Sequence, residues 1–379
     1  MAQRLKTDWV LFGTVLALVY FGVLMLYSAS SVRASLKFGS TWHFVGRQAV
    51  WMALALTAMM LLKRTHYRHL QHPAVAFTAI GMTLMLLLAV YFIDSGHHRW
   101  IRAGFIGVQP SELAKPALII FLAFFVTMRA RAINHPRTVI PAAVAVGLVI
   151  LLVIEPDLGT ALVMGITAAV VFVVAGLERR YIMIAASIAA VGLVYFVVSK
   201  PYRLARIIRY LDPDFKLVEL FDTRGYLRTY LQRSRTSRDT NYQAEQSRIA
   251  IGSGGPLGQG LMQGRQKLLY LPEAHTDFIY AVVAEELGLV GSVGLLSAFI
   301  VIFWRGLRAA VLIPDDFGRY LALGVTTMVV VQALVNITVV LGLVPTKGIP
   351  LPMISFGGSS LVSTLASLGI LMNVAEHAG

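Results

Sequence analysis

The feature that most constrains this chain is a series of long apolar runs that carry no charge. Residues 9–27, 73–93, 158–177 and 181–199 contain no Asp, Glu, Lys or Arg. Each is long enough to cross a hydrocarbon layer of about 30 Å at about 1.5 Å per residue. A soluble core could hide one such run, but several together leave too little charged surface to meet water. With 57% hydrophobic and 14% charged residues in 379, the chain reads as an all-α, polytopic integral membrane protein. About ten transmembrane helices are expected, near 9–28, 48–62, 73–93, 112–128, 139–155, 158–177, 181–199, 278–304, 319–343 and 354–375, the second and fourth being short. The first run is too long for a signal-peptide core and is expected to be retained. There is no cysteine, which excludes disulfides and thiolate metal sites.

Ten spans put both termini on one side, and the basic residues choose which. Thirteen Lys and Arg fall on the N-terminal side: Arg4, Lys6, Lys63, Arg64, Arg68, Arg129, Arg131, Arg137, Arg179, Arg180, Arg305, Arg308 and Arg319. Short loops on the other side hold six: Arg33, Lys37, Arg47, Arg99, Arg102 and Lys347. This bias predicts cytoplasmic termini. The net charge of +14 is thus spread between spans, where it meets lipid headgroups, and does not point to nucleic acid. Residues 200–277 form one long extracytoplasmic loop between spans seven and eight. Its basic middle, 224–248, is poor in apolar residues and reads as mobile. There is no separate soluble domain and no internal repeat, so residues 1–379 read as a single membrane domain.

Ionisable residues at span ends are costly unless they serve a purpose. Gln109-Pro110-Ser111-Glu112-Leu113-Ala114-Lys115 starts a helix with Glu112 and Lys115 on one face, either as a structural ion pair or as part of a site. In Glu155-Pro156-Asp157, Asp157 can cap the next helix, or complete a cluster with Glu112 and Lys115. Glycines between Gly252 and Gly264 allow close approach of a phosphate, with Arg265 and Lys267 following, or form a simple turn cluster. Pro272-Glu273-Ala274-His275-Thr276-Asp277 re-enters the membrane; Asp277 there could be a partly desolvated general base or, like Thr276, an N-cap. Glu285 and Glu286 follow inside the span, with at most one expected to reach a polar cavity. Pro345-Thr346-Lys347-Gly348-Ile349-Pro350 leads into Ile354-Ser355-Phe356-Gly357-Gly358-Ser359-Ser360. Its prolines and glycines require non-helical backbone at membrane depth, tolerated only inside protein or beside a wet cavity.

In this order and membrane placement, these motifs, with Tyr27-Ser28-Ala29-Ser30 and Arg99-Trp100-Ile101, resemble the SEDS family of peptidoglycan polymerases over nearly the whole chain. Pro-Thr-Lys-Gly at 345–348 and Pro-Glu-Ala-His-Thr-Asp-Phe at 272–278 resemble its division branch, FtsW, more than its elongation branch, RodA. Phe356 departs from the tyrosine usual there. The resemblance implies a glycosyltransferase that joins the GlcNAc 4-hydroxyl of one lipid II unit to the MurNAc anomeric carbon of a growing chain on undecaprenyl pyrophosphate. The expected catalytic base is Asp277. The expected substrate-binding residues are Glu112, Lys115, Asp157, Arg99, Arg265, Lys267, His275, Lys347, Ser355, Ser359 and Ser360. No dedicated metal cage is visible, although a divalent cation (Mg or Mn) could share the charge stabilisation. The implied partner is a class B penicillin-binding protein, a transpeptidase, among the other membrane proteins of the divisome or elongasome. The rival readings are a RodA-type elongation polymerase, a lipid II flippase and a non-catalytic scaffold.

Overall fold

The computed structural model describes residues 7–94, 99–103, 106–212, 222, 236–345 and 348–378. Its helices are α1 (Trp9–Phe38), α2 (His43–Arg64), α3 (Pro73–Ile93), α4 (Pro110–Met128), α5 (Pro136–Ile154), α6 (Leu158–Val174), α7 (Arg179–Val198), α8 (Pro201–Leu211), α9 (Thr236–Gly254), α10 (Ile279–Leu312), α11 (Asp316–Val340) and α12 (Gly358–His377). Among the described residues, nine of these are long and apolar enough to cross a membrane, and α6 is a shorter apolar helix. All ten expected spans are therefore present as helices. The second is not short: α2 runs for 22 residues. The last starts at Gly358 rather than 354, because the backbone ahead of it is not helical. Within the segment expected to be mobile, residues 236–248 lie in α9; residues 224–235 lie outside the described residues.

Local sequence sets the helix starts. Pro73, Pro110, Pro136 and Pro201 stand at first turns, where the missing N–H has no helical partner to lose. Asp8, Asp157 and Asp315 each accept a main-chain N–H as N-cap, satisfying a donor that would otherwise be orphaned. Between α3 and α4 the chain forms a small antiparallel ribbon, β1 (Ile101–Ala103) and β2 (Ile106–Val108), with Ile101 opposite Val108. That pairing brings Arg99 and Gln109, at its two ends, near each other.

One apolar core runs from Leu11 to Val374. α11 sits at its centre, in contact with α4, α6, α10 and α12. By contrast, Val197 is the single buried residue of α7. The first and last described residues lie at the same end of the bundle, where the Thr7 hydroxyl donates to Glu376 at 2.7 Å and Lys63 pairs with the same carboxylate at 2.6 Å. α1 and α10 run antiparallel and are tied twice. At the termini end Arg305 pairs with Asp8 at 2.6 Å. At the other end Ser28 donates to Glu286 at 2.6 Å. On either helix the stretch between ties is about 30 Å, equal to a hydrocarbon core.

A buried polar strut crosses the bundle near its far end. Lys115 on α4 pairs with Glu112 at 2.6 Å, and both side chains are almost wholly buried. The Lys115 ammonium also donates to Gln332 Oε1 on α11 at 2.7 Å. Gln332 Nε2 donates in turn to the Pro350 carbonyl at 2.9 Å. The Ser363 hydroxyl of α12 donates to the Glu112 carbonyl at 2.6 Å. Three helices and a non-helical segment thus meet around one ion pair. Removing one partner strands the other charge. Lys115→Ala should therefore destabilise the detergent-solubilised protein by roughly 3–5 kcal/mol. Lys115→Met combined with Glu112→Leu should recover much of that loss, as read by thermal melting.

Candidate functional site

Asp277 lies where two non-helical segments meet. The first, 271–278, precedes α10, and the second, 348–357, precedes α12. Main-chain groups at this depth need internal partners, and side chains supply several. The Phe356 N–H donates to the His275 carbonyl at 3.0 Å. Ser355 Oγ donates to the Thr276 carbonyl at 2.5 Å and accepts from the Leu351 N–H at 2.8 Å. Asn336 Nδ2 on α11 donates to the carbonyls of both Asp277, at 2.8 Å, and Ile349, at 2.6 Å. Gly348 lies against the Asp277 carboxylate, so close that a Cβ there would overlap Oδ2 and force the carboxylate to shift.

Facing Asp277 is a second cluster. Asp157, which is 2% exposed, caps α6 by accepting from the Thr160 N–H at 3.1 Å and its hydroxyl at 3.0 Å. It also pairs with Arg99 at 3.2 Å and accepts from Gln109 Nε2 at 3.2 Å. Gln109 gives a second amide proton to Ser111 at 2.8 Å, and its N–H reaches Ser359 Oγ at 3.4 Å. Asp157 is thus a helix cap, but the cluster it joins is with Arg99 and Gln109, not with Glu112 and Lys115, which pair with each other. Asp277 is half-buried. Burial pushes its carboxyl up to about 6; Arg99 draws it down, while Glu273 and Asp157 push it further up. A carboxylate so placed holds a proton more readily than an ordinary one and remains ionised near neutral pH. Among the described residues no group of three or more His, Asp or Glu is placed to hold a metal ion.

Other expected site residues fall elsewhere. Lys267, expected beside a phosphate, is 5% exposed and pairs with Glu286 at 2.6 Å while donating to Ser28 at 2.8 Å. Glu285 accepts from the N–H groups of Arg265, at 2.7 Å, and Gln266, at 3.2 Å. Glu286 also accepts from the Met262 N–H at 3.0 Å. Neither glutamate is reserved for a cavity: the anions that the glycine-rich loop receives are the chain's own carboxylates. The glycines allow that loop to press on α10 where Gly288, at φ 63°, interrupts the helix. Cβ atoms at Gly254 or Gly258 would run into the carbonyls of Ala284 or Glu286. The Arg265 side chain remains exposed.

His275 is 5% exposed. Burial, opposed by Glu273 and aided by Arg33, lowers its pKa to about 4, so it is neutral at pH 7 and offers no positive charge to a phosphate. Its ring packs on Phe44, 4.7 Å between centroids, and Phe44 meets Phe356 edge-on at 5.4 Å. His275 also lines a cavity of about 210 Å³ with Arg33, Lys267 and Leu271. Glu112 and Lys115 belong to the strut, Ser355 to the stitching of the two segments, and Ser359 to the Gln109 contact. Ser360 is half-buried at the start of α12. Lys347 lies outside the described residues.

Gln109, Gln332 and Asn336 were not legible as site components because a search for ionisable groups passes over amides. The spacing of Gln332 and Asn336, four apart in an otherwise apolar span, is the signal that finds them: it puts two polar groups on one helix face at membrane depth.

Residues 8–379 match the FtsW/RodA/SpoVE family of cell cycle proteins. The chain is 40% identical to a Geobacter sulfurreducens protein named "Probable peptidoglycan glycosyltransferase FtsW", over 98% of this chain and 96% of that one. It is 36% identical to stage V sporulation protein E of Bacillus subtilis, over 99% and 98% of the two chains. Among solved structures it resembles a chain from a peptidoglycan synthase complex that coordinates polymerization and crosslinking, with a TM-score of 0.73 and 30% identity over 98% of both chains. It also resembles the rod shape determining protein RodA of Thermus thermophilus, with a TM-score of 0.67 and 28% identity over 99% and 98% of the two chains. The apolar helices, their order and these matches agree, and the chain belongs to the FtsW/RodA/SpoVE family of multi-pass membrane proteins.

Proposed function

We propose that the chain polymerises peptidoglycan glycan strands from lipid II at the outer face of the bacterial cytoplasmic membrane, with both termini in the cytoplasm. The observation that carries this reading is a half-buried carboxylate, Asp277, facing Arg99 at the end of the bundle away from the termini. The excess of Lys and Arg at the termini end supports that orientation. A role in septal synthesis during division is supported by a relative named FtsW at 40% identity and by the motifs at 272–278 and 345–348. The likeness to a chain from a synthase complex supports a class B penicillin-binding protein as partner.

In the proposed reaction the 4-hydroxyl oxygen of GlcNAc attacks the anomeric carbon of MurNAc at the reducing end of the growing strand. The C1–O bond to undecaprenyl pyrophosphate breaks, and the electron pair leaves with the pyrophosphate. The hydroxyl proton passes to Asp277. A sugar hydroxyl is a weak nucleophile at neutral pH, so such a base is worth about 10²–10⁴-fold. Pyrophosphate is a weak base and departs without a proton when cations face it. Arg99, held by Asp157, and the exposed Arg265 are the described side chains suited to that task. Glu112 and Lys115 act from behind, through Gln332, on the segment that presses on Asp277.

Purified protein with labelled lipid II, resolved on a gel, tests the reading. Asp277→Asn and Asp277→Ala should make no polymer while melting near wild type; polymer from either variant would remove Asp277 as base. Transport of lipid II across vesicles without polymer would favour a flippase, and wild-type growth with Asp277→Asn would favour a scaffold. The pH profile is a second test. Below about 6 the carboxylate is protonated and cannot accept a proton, so kcat/KM should fall as pH drops through that region. An ordinary carboxylate would put this limb near pH 4. Arg99→Ala removes a charge that favours the carboxylate, and should move the limb to higher pH as well as weaken kcat/KM.

A further inference from the structure

Asn336 stands on α11 one turn beyond Gln332 and is 1% exposed. Its two amide protons go to two different segments: one to the Asp277 carbonyl at 2.8 Å, the other to the Ile349 carbonyl at 2.6 Å. Those segments supply the two sides of the contact between the Asp277 carboxylate and Gly348. One side chain on a rigid helix thus spans the contact from behind. Gln332, on the same face, uses both ends of its amide, accepting from Lys115 and donating to Pro350. The Asn336 Oδ1 is buried and has no hydrogen-bond partner among the described residues. An unserved acceptor is a cost that buried structural amides avoid, so the orientation of Asn336 is dictated by its two donor bonds.

We propose that Asn336 is a positioning residue for the glycosyl-transfer step. Through the main chain it fixes the height and direction of the Asp277 carboxylate against Gly348, and it touches neither sugar nor pyrophosphate. The proposal rests on the reading of Asp277 as the base. Misplacement of a reacting group by about 1 Å can cost on the order of 10²-fold in rate. Substrate affinity, set by contacts elsewhere, has no reason to follow.

The test uses full-length protein and labelled lipid II, after a melting curve for each variant. Asn336→Ala should lower kcat on the order of 10²-fold and leave KM for lipid II close to wild type. The acid limb of its kcat/KM profile should move to lower pH, because a loosened segment lets water reach Asp277, while Arg99, Glu273 and Asp157 still face the carboxylate. Asn336→Gln, which keeps the donors on a longer arm, should recover part of kcat, and it carries the same comparison if the alanine variant does not fold. Thr326→Ala removes a buried hydrogen bond from the same helix, about 15 Å from Asn336 along its axis; it should lower the melting temperature and leave the acid limb in place. Wild-type kcat in Asn336→Ala would overturn the proposal. So would a loss of kcat with an unmoved acid limb, since that is what loss of structure alone would give. The two readings fail separately. If Asp277→Asn polymerises, the base assignment falls whatever Asn336 does. If Asp277→Asn is inactive but Asn336→Ala has the wild-type kcat and limb, the positioning role alone falls.

Discussion

Two stretches of backbone without helical hydrogen bonds lie inside this helical bundle, and the site depends on how their polar groups are satisfied. In the interior of a membrane protein an unmet carbonyl costs several kcal/mol. Residues 351–355 are all buried, so water cannot serve them freely. Side chains do it instead: Ser355 bridges Thr276 and Leu351, Asn336 serves Asp277 and Ile349, and Gln332 serves Pro350. Each of these bonds also fixes a position. The same contacts that make irregular backbone tolerable hold Asp277 where it is.

The buried charges obey the same logic. Lys115 and Lys267 are both deep, and each has a carboxylate within ion-pair distance and a second polar partner. A buried ion pair gains little stability over apolar packing, but it is severe about geometry once it exists. That severity shows in what the pairs hold: Lys115 bears on the segment ahead of α12, Lys267 on the segment ahead of Asp277. Arg99 differs, since about a third of its side chain is open to solvent. An anion can reach it without unmaking the fold.

The spans were legible because charge-free runs report directly on the solvent around a helix. Asp277 was legible because a carboxylate at a re-entry point stands out against apolar neighbours. Lys267 was misread. Its neighbouring glycines and Arg265 suggested a phosphate, but the carboxylates that meet this loop lie about twenty residues on, in a span, and spacing along the chain says nothing of a loop folding back on a helix. Asn336 and Gln332 were passed over for a different reason. Amides carry no charge, and their importance comes from carbonyls of other segments that happen to need donors. The α9 helix was hidden by its polar composition: Ala250 is fully buried against the bundle, yet the rest of the stretch resembles solvated chain.

The double tie between α1 and α10 bears on the surrounding lipid. Two helices joined at both ends by ionic and hydroxyl contacts cannot slide past each other, and neither can tilt alone to shorten its apolar length. When the bilayer is thinner or thicker than the stretch between Asp8–Arg305 and Ser28–Glu286, the lipid must deform in their place, at fractions of a kcal/mol per Å. Such mismatch is enough to bias where a protein settles laterally in a membrane of uneven composition. Lys267, ten residues ahead of Asp277, shares that tie through Glu286, so the apolar length of this helix pair and the approach to the site are parts of one structure.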